Sequence, residues 1–398
     1  MSSIDVERAR ADTPGCAHVL HLNNAGASLP PAAVLDAVVA HLELEARLGG
    51  YAAADATADR MEAVYTSVAR LIGAQPDEIA LVENATRAWD LAFYSFGLGP
   101  GDRVLTSRSE YASNVIAMLQ VARRRGVSVE VVPDDEHGQL SVDALRAMLD
   151  ERVRLVAVGW IPTQGGLVNP VAEVGAVTRA AGVPFLLDAC QAVGQLVVDV
   201  DAIGCDLLSA TGRKYLRGPR GTGFLYVRRG LVEALEPPFL DVHSARWVAT
   251  DRIEVRADAR RFETWECSHA CRLGLGAAVD YALALGSDAV EERVLALGEQ
   301  LRAQLGAIPG LELHDQGERR CGIVTFTLDG VDPFDLAARL RADAINISVS
   351  TIDFARFDFE ARGLSAVARA SVHYYNTDDE LGRFAATVAR MTREARRA

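Results

Sequence analysis

The chain has 398 residues, more than one hydrophobic core comfortably holds, so about two domains are expected. It is 49% hydrophobic and 24% charged, which excludes a disordered chain, a collagen-like repeat and a disulfide-built miniprotein. A net charge of −13 makes nucleic acid and anionic membranes poor partners, no apolar run reaches the length of a membrane span, and the start MSSIDVERAR lacks a secretory core, so a cytoplasmic protein is expected.

In chain order, a helical span at 31–48 leads into a strand–helix alternation. Apolar runs at 104–106, 129–132, 155–159, 185–187, 207–209 and 223–227 read as strands. Amphipathic spans at 85–96, 113–125, 141–150 and 171–181 read as helices between them. This alternation, with short Gly, Pro and Asp punctuation, predicts an α/β fold with a mainly parallel sheet covered on both faces. After about residue 250 the pattern changes. A helical region at 270–305 breaks at Gly286-Ser287, and strands at 323–328, 345–350 and 367–372 are interleaved with a helix near 333–341 and followed by one from Asp378. The predicted organisation is a large domain over 23–249 and a smaller α+β domain from 1–22 and 250–398.

Six cysteines, at 16, 190, 205, 267, 271 and 321, are dispersed without a CxxC pair, as expected of reduced thiols. Cys267 and Cys271, with His269 between them, do not have the spacing of a zinc pair, and no metal site is expected.

Of the 41 basic residues only one is a lysine, Lys214. Arginine supplies surface charge equally well, but a guanidinium cannot act as an amine nucleophile. Arg213, Arg217 and Arg220 surround Lys214, so a lysine kept there points to a need for a deprotonatable amine. Two further groups converge on it. The strand ending FLLDACQ carries Asp188 and Gln191, and the next strand ends at Thr211-Gly212-Arg213-Lys214. Ligands of parallel α/β sheets gather at such strand ends. An amine, an acid and an amide on one edge suit pyridoxal phosphate: the amine holds its aldehyde, the acid keeps its pyridine nitrogen protonated, and the amide meets its phenolate oxygen. Thr211, Arg213 and the helix opening at Asn84-Ala85-Thr86-Arg87 supply donors for the phosphate.

DACQ and SATGRKYLRGPRGTGFLYVR resemble the class V aminotransferase group of fold-type I pyridoxal phosphate enzymes, and the likeness extends from HLNNAGASLPPAAV to RASVHYYNTDDEL. The resemblance implies that Lys214 forms the Schiff base, Asp188 pairs with the pyridine nitrogen and Gln191 approaches the phenolate oxygen. Thr86, Thr211 and Arg213 would bind phosphate, with Ala85 and Arg87 beside them. Tyr111 would stack on the ring. Arg369 would grip the α-carboxylate of a small amino-acid substrate, with Asn24 and Thr163 on the substrate side. The resemblance also implies a homodimer with shared active sites, in which the segment 262–266 reaches the neighbouring subunit.

Two departures bear on the reaction. The cysteine desulfurases of this group carry histidine before the lysine, where this chain has Arg213. They also need a mobile nucleophilic cysteine shortly before the carboxylate-binding arginine, and 344–368 contains none. The motifs SEY at 109–111, Arg before Lys, and GGYAAA at 49–54 look most like the hercynylcysteine sulfoxide lyases and the isopenicillin N epimerase-like proteins. The implied activity is a pyridoxal phosphate-dependent carbon–sulfur lyase, cleaving a cysteine conjugate or sulfoxide by β-elimination. Transamination and epimerisation begin with the same proton abstraction and stay open. Trp160, Phe354, Phe357 and Phe359 suggest an apolar or ring-bearing substituent on the substrate.

Overall fold

The computed structural model describes residues 4–395. Residues 1–3 and 396–398, assigned from sequence to the small domain, lie outside the described residues. After the short strand β1 (Leu20–His21), seven strands build the main sheet: β2 (Ile79–Val82), β3 (Arg103–Thr106), β4 (Ser128–Val131), β5 (Val153–Gly159), β6 (Phe185–Asp188), β7 (Leu207–Thr211) and β8 (Gly223–Val227). Their order is β2-β8-β7-β6-β5-β3-β4. Strands β3 to β7 run parallel, β8 is antiparallel to β7, and β2 is antiparallel to β8. The expected mainly parallel sheet is present, and β2 is an addition to the sequence reading.

Side chains alternate between two cores. Val156, Leu187, Leu208 and Phe224 enter one apolar cluster, and their neighbours Leu155, Leu186, Leu207 and Leu225 enter the other. Burial on both faces explains why these strands read as unbroken apolar runs. The outer edge of β2 is closed by side chains: Glu263 accepts from the Leu81 N–H at 2.8 Å and Arg272 donates to the Leu81 carbonyl at 2.9 Å.

Beyond β8, a hairpin of β9 (Ala245–Ala249) and β10 (Arg252–Val255) projects from the fold. The second domain carries β11 (Leu311–Leu313), β12 (Ile323–Leu328), β13 (Ile345–Asn346), β14 (Ser348–Thr351) and β15 (Ala366–Ser371). Four of these form the antiparallel sheet β11-β12-β15-β14, and β13 pairs in parallel with β1. The N-terminal segment thus pairs with these strands through β1.

The boundary at 250 does not coincide with packing. Helix His269–Leu285 lies against helices Ala32–Leu48 and Ala58–Ile72 of the large domain. The approach is close: a Cβ on Gly274 would lie 2.6 Å from Val38 Cγ2. The chain then turns by 83° at the predicted break into helix Ser287–Gly306, which packs on the second sheet. No single helix among the described residues is long and apolar enough to cross a membrane.

Candidate active site

The carboxyl ends of β5, β6 and β7 open onto one cavity of about 410 Å³. Asp188 is the last residue of β6 and its carboxylate is held from two sides. Oδ1 accepts from the Cys190 N–H at 2.9 Å, and Oδ2 accepts from Asn114 Nδ2 at 3.0 Å. Gln191 is buried, with Nε2 donating to the Ala25 carbonyl at 3.1 Å and Oε1 lacking any partner. Lys214 lines the same cavity from the loop after β7 and is only 9% exposed. Burial lowers its proton affinity, and the charges of Arg213 and Arg369 act in the same direction, against Cys190 and Asp188. An amine held this way sheds its proton more readily than a surface lysine, which suits a nucleophile or a base.

The lysine loop is pinned by Arg217, a non-glycine residue at φ 63° whose N–H donates to the Lys214 carbonyl at 2.8 Å. Such backbone costs about 1–3 kcal/mol. It is offset by a buried guanidinium that donates to the Leu29 carbonyl at 2.8 Å, Tyr374 Oη at 2.5 Å and Thr13 Oγ1 at 2.5 Å. The Tyr375 ring lies 4.7 Å from the guanidinium carbon.

At the other end of the cavity, helix Ala85–Tyr94 presents its N-terminus, with Ala85 and Thr86 in the lining. Asn84 caps it by accepting from the Arg87 N–H at 2.8 Å. Free N–H groups and the helix dipole favour an anion here. Thr211 and Arg213 line the same end, and Arg213 Nη1 also donates to the Gly26 carbonyl. Gly223 permits this closeness: a Cβ there would lie 2.5 Å from the Ala210 carbonyl oxygen. Arg87 departs from expectation. Its guanidinium sits 4.8 Å over the Phe239 ring, in a separate surface groove. Three residues into the helix, its side chain has rotated away from the cavity.

Tyr111 caps helix Ala112–Arg125 and lines the cavity. Arg369, on β15 and 6% exposed, approaches from the second sheet. Its Nη1 donates to both the carbonyl and Oγ1 of Thr163 at 2.8 Å, while Nε has no partner. Thr163 itself lines the cavity. Asn24 and its neighbour Asn23 make different contacts. Asn24 is fully buried, donating to the Ser371 carbonyl at 2.7 Å and accepting from the Tyr375 hydroxyl. Asn23 is the asparagine toward Arg369, with Oδ1 3.5 Å from Nη2. The aromatic substrate wall is also corrected in part: Trp160 and Phe359 are core residues at 5% and 0% exposure, whereas Phe354 is exposed. In the segment 262–266, Phe262 and Glu263 are buried and Trp265 is 55% exposed. Two polar residues assigned no role from sequence, Glu110 and Asn114, lie in the cavity lining beside Asp188. Their spacing of four at a helix start was the available signal.

Fold and cavity together define the class: an α/β enzyme of fold type I that holds pyridoxal phosphate at the carboxyl ends of its parallel strands. The orphaned Gln191 Oε1, the open helix N-terminus and the low-affinity amine fit that group. Residues 20–384 match the family described as aminotransferase class-V. A cysteine desulfurase of Cronobacter sakazakii is 32% identical over 98% of this chain and 99% of its own length. One from Yersinia pestis is 33% identical, over 97% and 98%. The apo structure of a cysteine desulfurase from Thermococcus onnurineus NA1 superposes with a TM-score of 0.91 at 25% identity, covering 99% of this chain and all of that one. The chain belongs to the class V aminotransferase family. These relatives are desulfurases, rather than the sulfoxide lyases or epimerase-like proteins that its short motifs resemble.

Proposed function

We propose that the chain is a pyridoxal phosphate-dependent carbon–sulfur lyase that expels sulfur from a cysteine conjugate or cysteine sulfoxide by β-elimination. Likeness to cysteine desulfurases over nearly the whole chain supports the carbon–sulfur lyase class. The choice of elimination is carried by one observation: among the described residues Cys190 is the only cysteine in the cavity lining. The segment 344–368 has no cysteine. Cys190 lines the cavity, but it sits beside Asp188 on a turn fixed by backbone bonds, and burial pushes its thiol up. Cys321 is buried, outside the lining, and its thiol is pushed up to about 12 by burial. A persulfide-forming nucleophile needs thiolate character and reach, and neither cysteine has both.

Bound pyridoxal phosphate supplies the electron sink that stabilises negative charge at the substrate Cα. The chain's own residues do the rest. Arg369, aligned by Thr163, receives the α-carboxylate through a charge-assisted fork, using an Nε that has no partner within the chain. The Lys214 amine, uncharged more readily than a surface lysine, takes the Cα proton. The electron pair of that C–H bond becomes the Cα–Cβ double bond as sulfur leaves Cβ with the C–S pair. Hydrolysis of the released enamine gives pyruvate and ammonia. Asp188 would face the ring nitrogen and Tyr111 would stack on the ring.

Exposed Leu35, Val39 and Leu42 on helix Ala32–Leu48, with Trp247 and Ile253 on the β9–β10 hairpin, supply apolar surface for the inferred homodimer. S-Alkyl-cysteine sulfoxides should release pyruvate and ammonia in equal amounts. Alanine formed from cysteine, with sulfur retained on the protein, would overturn elimination. Ketoacid without pyruvate would favour transamination, and Cα exchange alone epimerisation.

A further inference from the structure

Behind the half-buried Asp188 lies a fully buried carboxylate that the reaction above does not use. Glu110 is 2% exposed. Its Oε1 accepts from the Tyr111 N–H at 2.9 Å and from Asn114 Nδ2 at 2.8 Å. Its Oε2 accepts from the Gly159 N–H at 2.9 Å and Thr106 Oγ1 at 3.4 Å. The Asn114 nitrogen also donates to Asp188 Oδ2 at 3.0 Å. One amide thus bridges two acids, and its geometry keeps their oxygens within about 6 Å, the reach of two hydrogen bonds. Among the described residues neither acid is in an ion pair with a lysine or arginine.

Two neighbouring carboxylates, one buried and one half-buried, with no paired cation repel each other. The arrangement becomes favourable when a cation sits against the exposed oxygen of the pair. We propose that Glu110 is a positioning residue for the cofactor: through Asn114 it fixes the Asp188 carboxylate, and it adds a second negative charge that holds the pyridine nitrogen protonated. This rests on the pyridoxal phosphate reading of the cavity. The groups facing Glu110 are Asp188 from β6, Thr106 from β3, the Gly159 N–H from β5, and Tyr111 and Asn114 from its own turn. Cys190 and Lys214 lie beyond Asp188. Burial first, then the Asp188 charge, pushes the Glu110 carboxyl up to about 7, against the Tyr111, Asn114 and Gly159 hydrogen bonds. A protonated ring nitrogen would relieve that repulsion and draw the proton from Glu110.

The test is nitrogen-15 NMR of holoenzyme loaded with cofactor labelled at the ring nitrogen, titrated with pH. In the natural protein the nitrogen should stay protonated across the stable range. Glu110→Gln should lower its proton affinity about tenfold or more, the scale of removing a charge at this separation. Asn114→Ala should lower it less, because the charge remains while the bridge is cut. Glu110→Asp, which keeps the charge, should restore most of the effect. A Glu110→Gln titration curve superimposable on the natural one would overturn the proposal. Should that variant fail to fold, an unchanged curve in Asn114→Ala would overturn it instead. Borohydride treatment separates two failures. Absence of any borohydride-sensitive absorption band in the loaded natural protein removes the cofactor reading itself, whereas a normal band with an unchanged nitrogen titration removes only the role of Glu110.

Discussion

The cofactor side of the cavity is built by one sheet, and the substrate side by two. Asp188, Gln191, Thr211 and Lys214 follow consecutive strand ends; the Asp188 carboxylate accepts from the Cys190 N–H two residues on, whereas the Gln191 amide reaches back to the Ala25 carbonyl. Arg369 belongs to the second sheet, Thr163 to the loop after β5, and Asn23 to the N-terminal segment, which reaches β15 through an isolated bridge to Ser371. The proposed cofactor groups thus follow two neighbouring strands of one sheet, whereas the proposed substrate groups are drawn from both sheets.

Four changes would break or sharpen this contrast. Lys214→Ala should abolish the borohydride-sensitive band and cut turnover by at least about a thousandfold, the scale of losing a positioned general base. Retained turnover would detach the lysine from both roles. Arg369→Ala should raise KM for the amino acid by about 30-fold or more while cofactor content, read by absorbance, stays the same. Coupled loss of cofactor would show that the two sides are not separable. A third test uses pH on the cofactor-free protein. Glu110 binds its proton more tightly folded than unfolded, because its carboxyl is raised from 4.5 to about 7. The stability this group contributes is complete below about pH 4.5 and is lost as pH rises through 7. Denaturant titrations should show about 3 kcal/mol of such loss, and Glu110→Gln should remove it from the pH profile. An identical profile in the variant would count against the raised carboxyl. The smallest effect is expected from Cys190→Ser, within about threefold on pyruvate release, since no bond is made to that sulfur. Complete loss would revive a thiol mechanism.

Strands buried on both faces advertise themselves as apolar runs, so the ends that carry Asp188 and Lys214 were legible. The solitary lysine was legible because the chain otherwise writes its cations as arginine. Elements without that signal were not. The β9–β10 hairpin is largely exposed and shows no such pattern, whereas β2 is a buried apolar run whose signal is confined to four residues after a charged turn. Arg87 was misplaced because adjacency to a motif says nothing about which side of a helix a residue occupies. The choice between Asn23 and Asn24 is made by strand partners more than 300 residues away, at Ile345 and Ser371. Glu110 gains its meaning only from Asn114 and from β6 beside it.

The pairing of β1 with β13 changes what the first residues of this protein are. Ser28 donates its N–H to the carbonyl of Arg213 at 2.9 Å, next to the lysine, while Leu22 and Asn23 run alongside β15. One short stretch of chain is thus sewn to both walls of the cleft. A displacement of the second sheet would therefore be transmitted through residues 22–28 to the turn that carries Lys214.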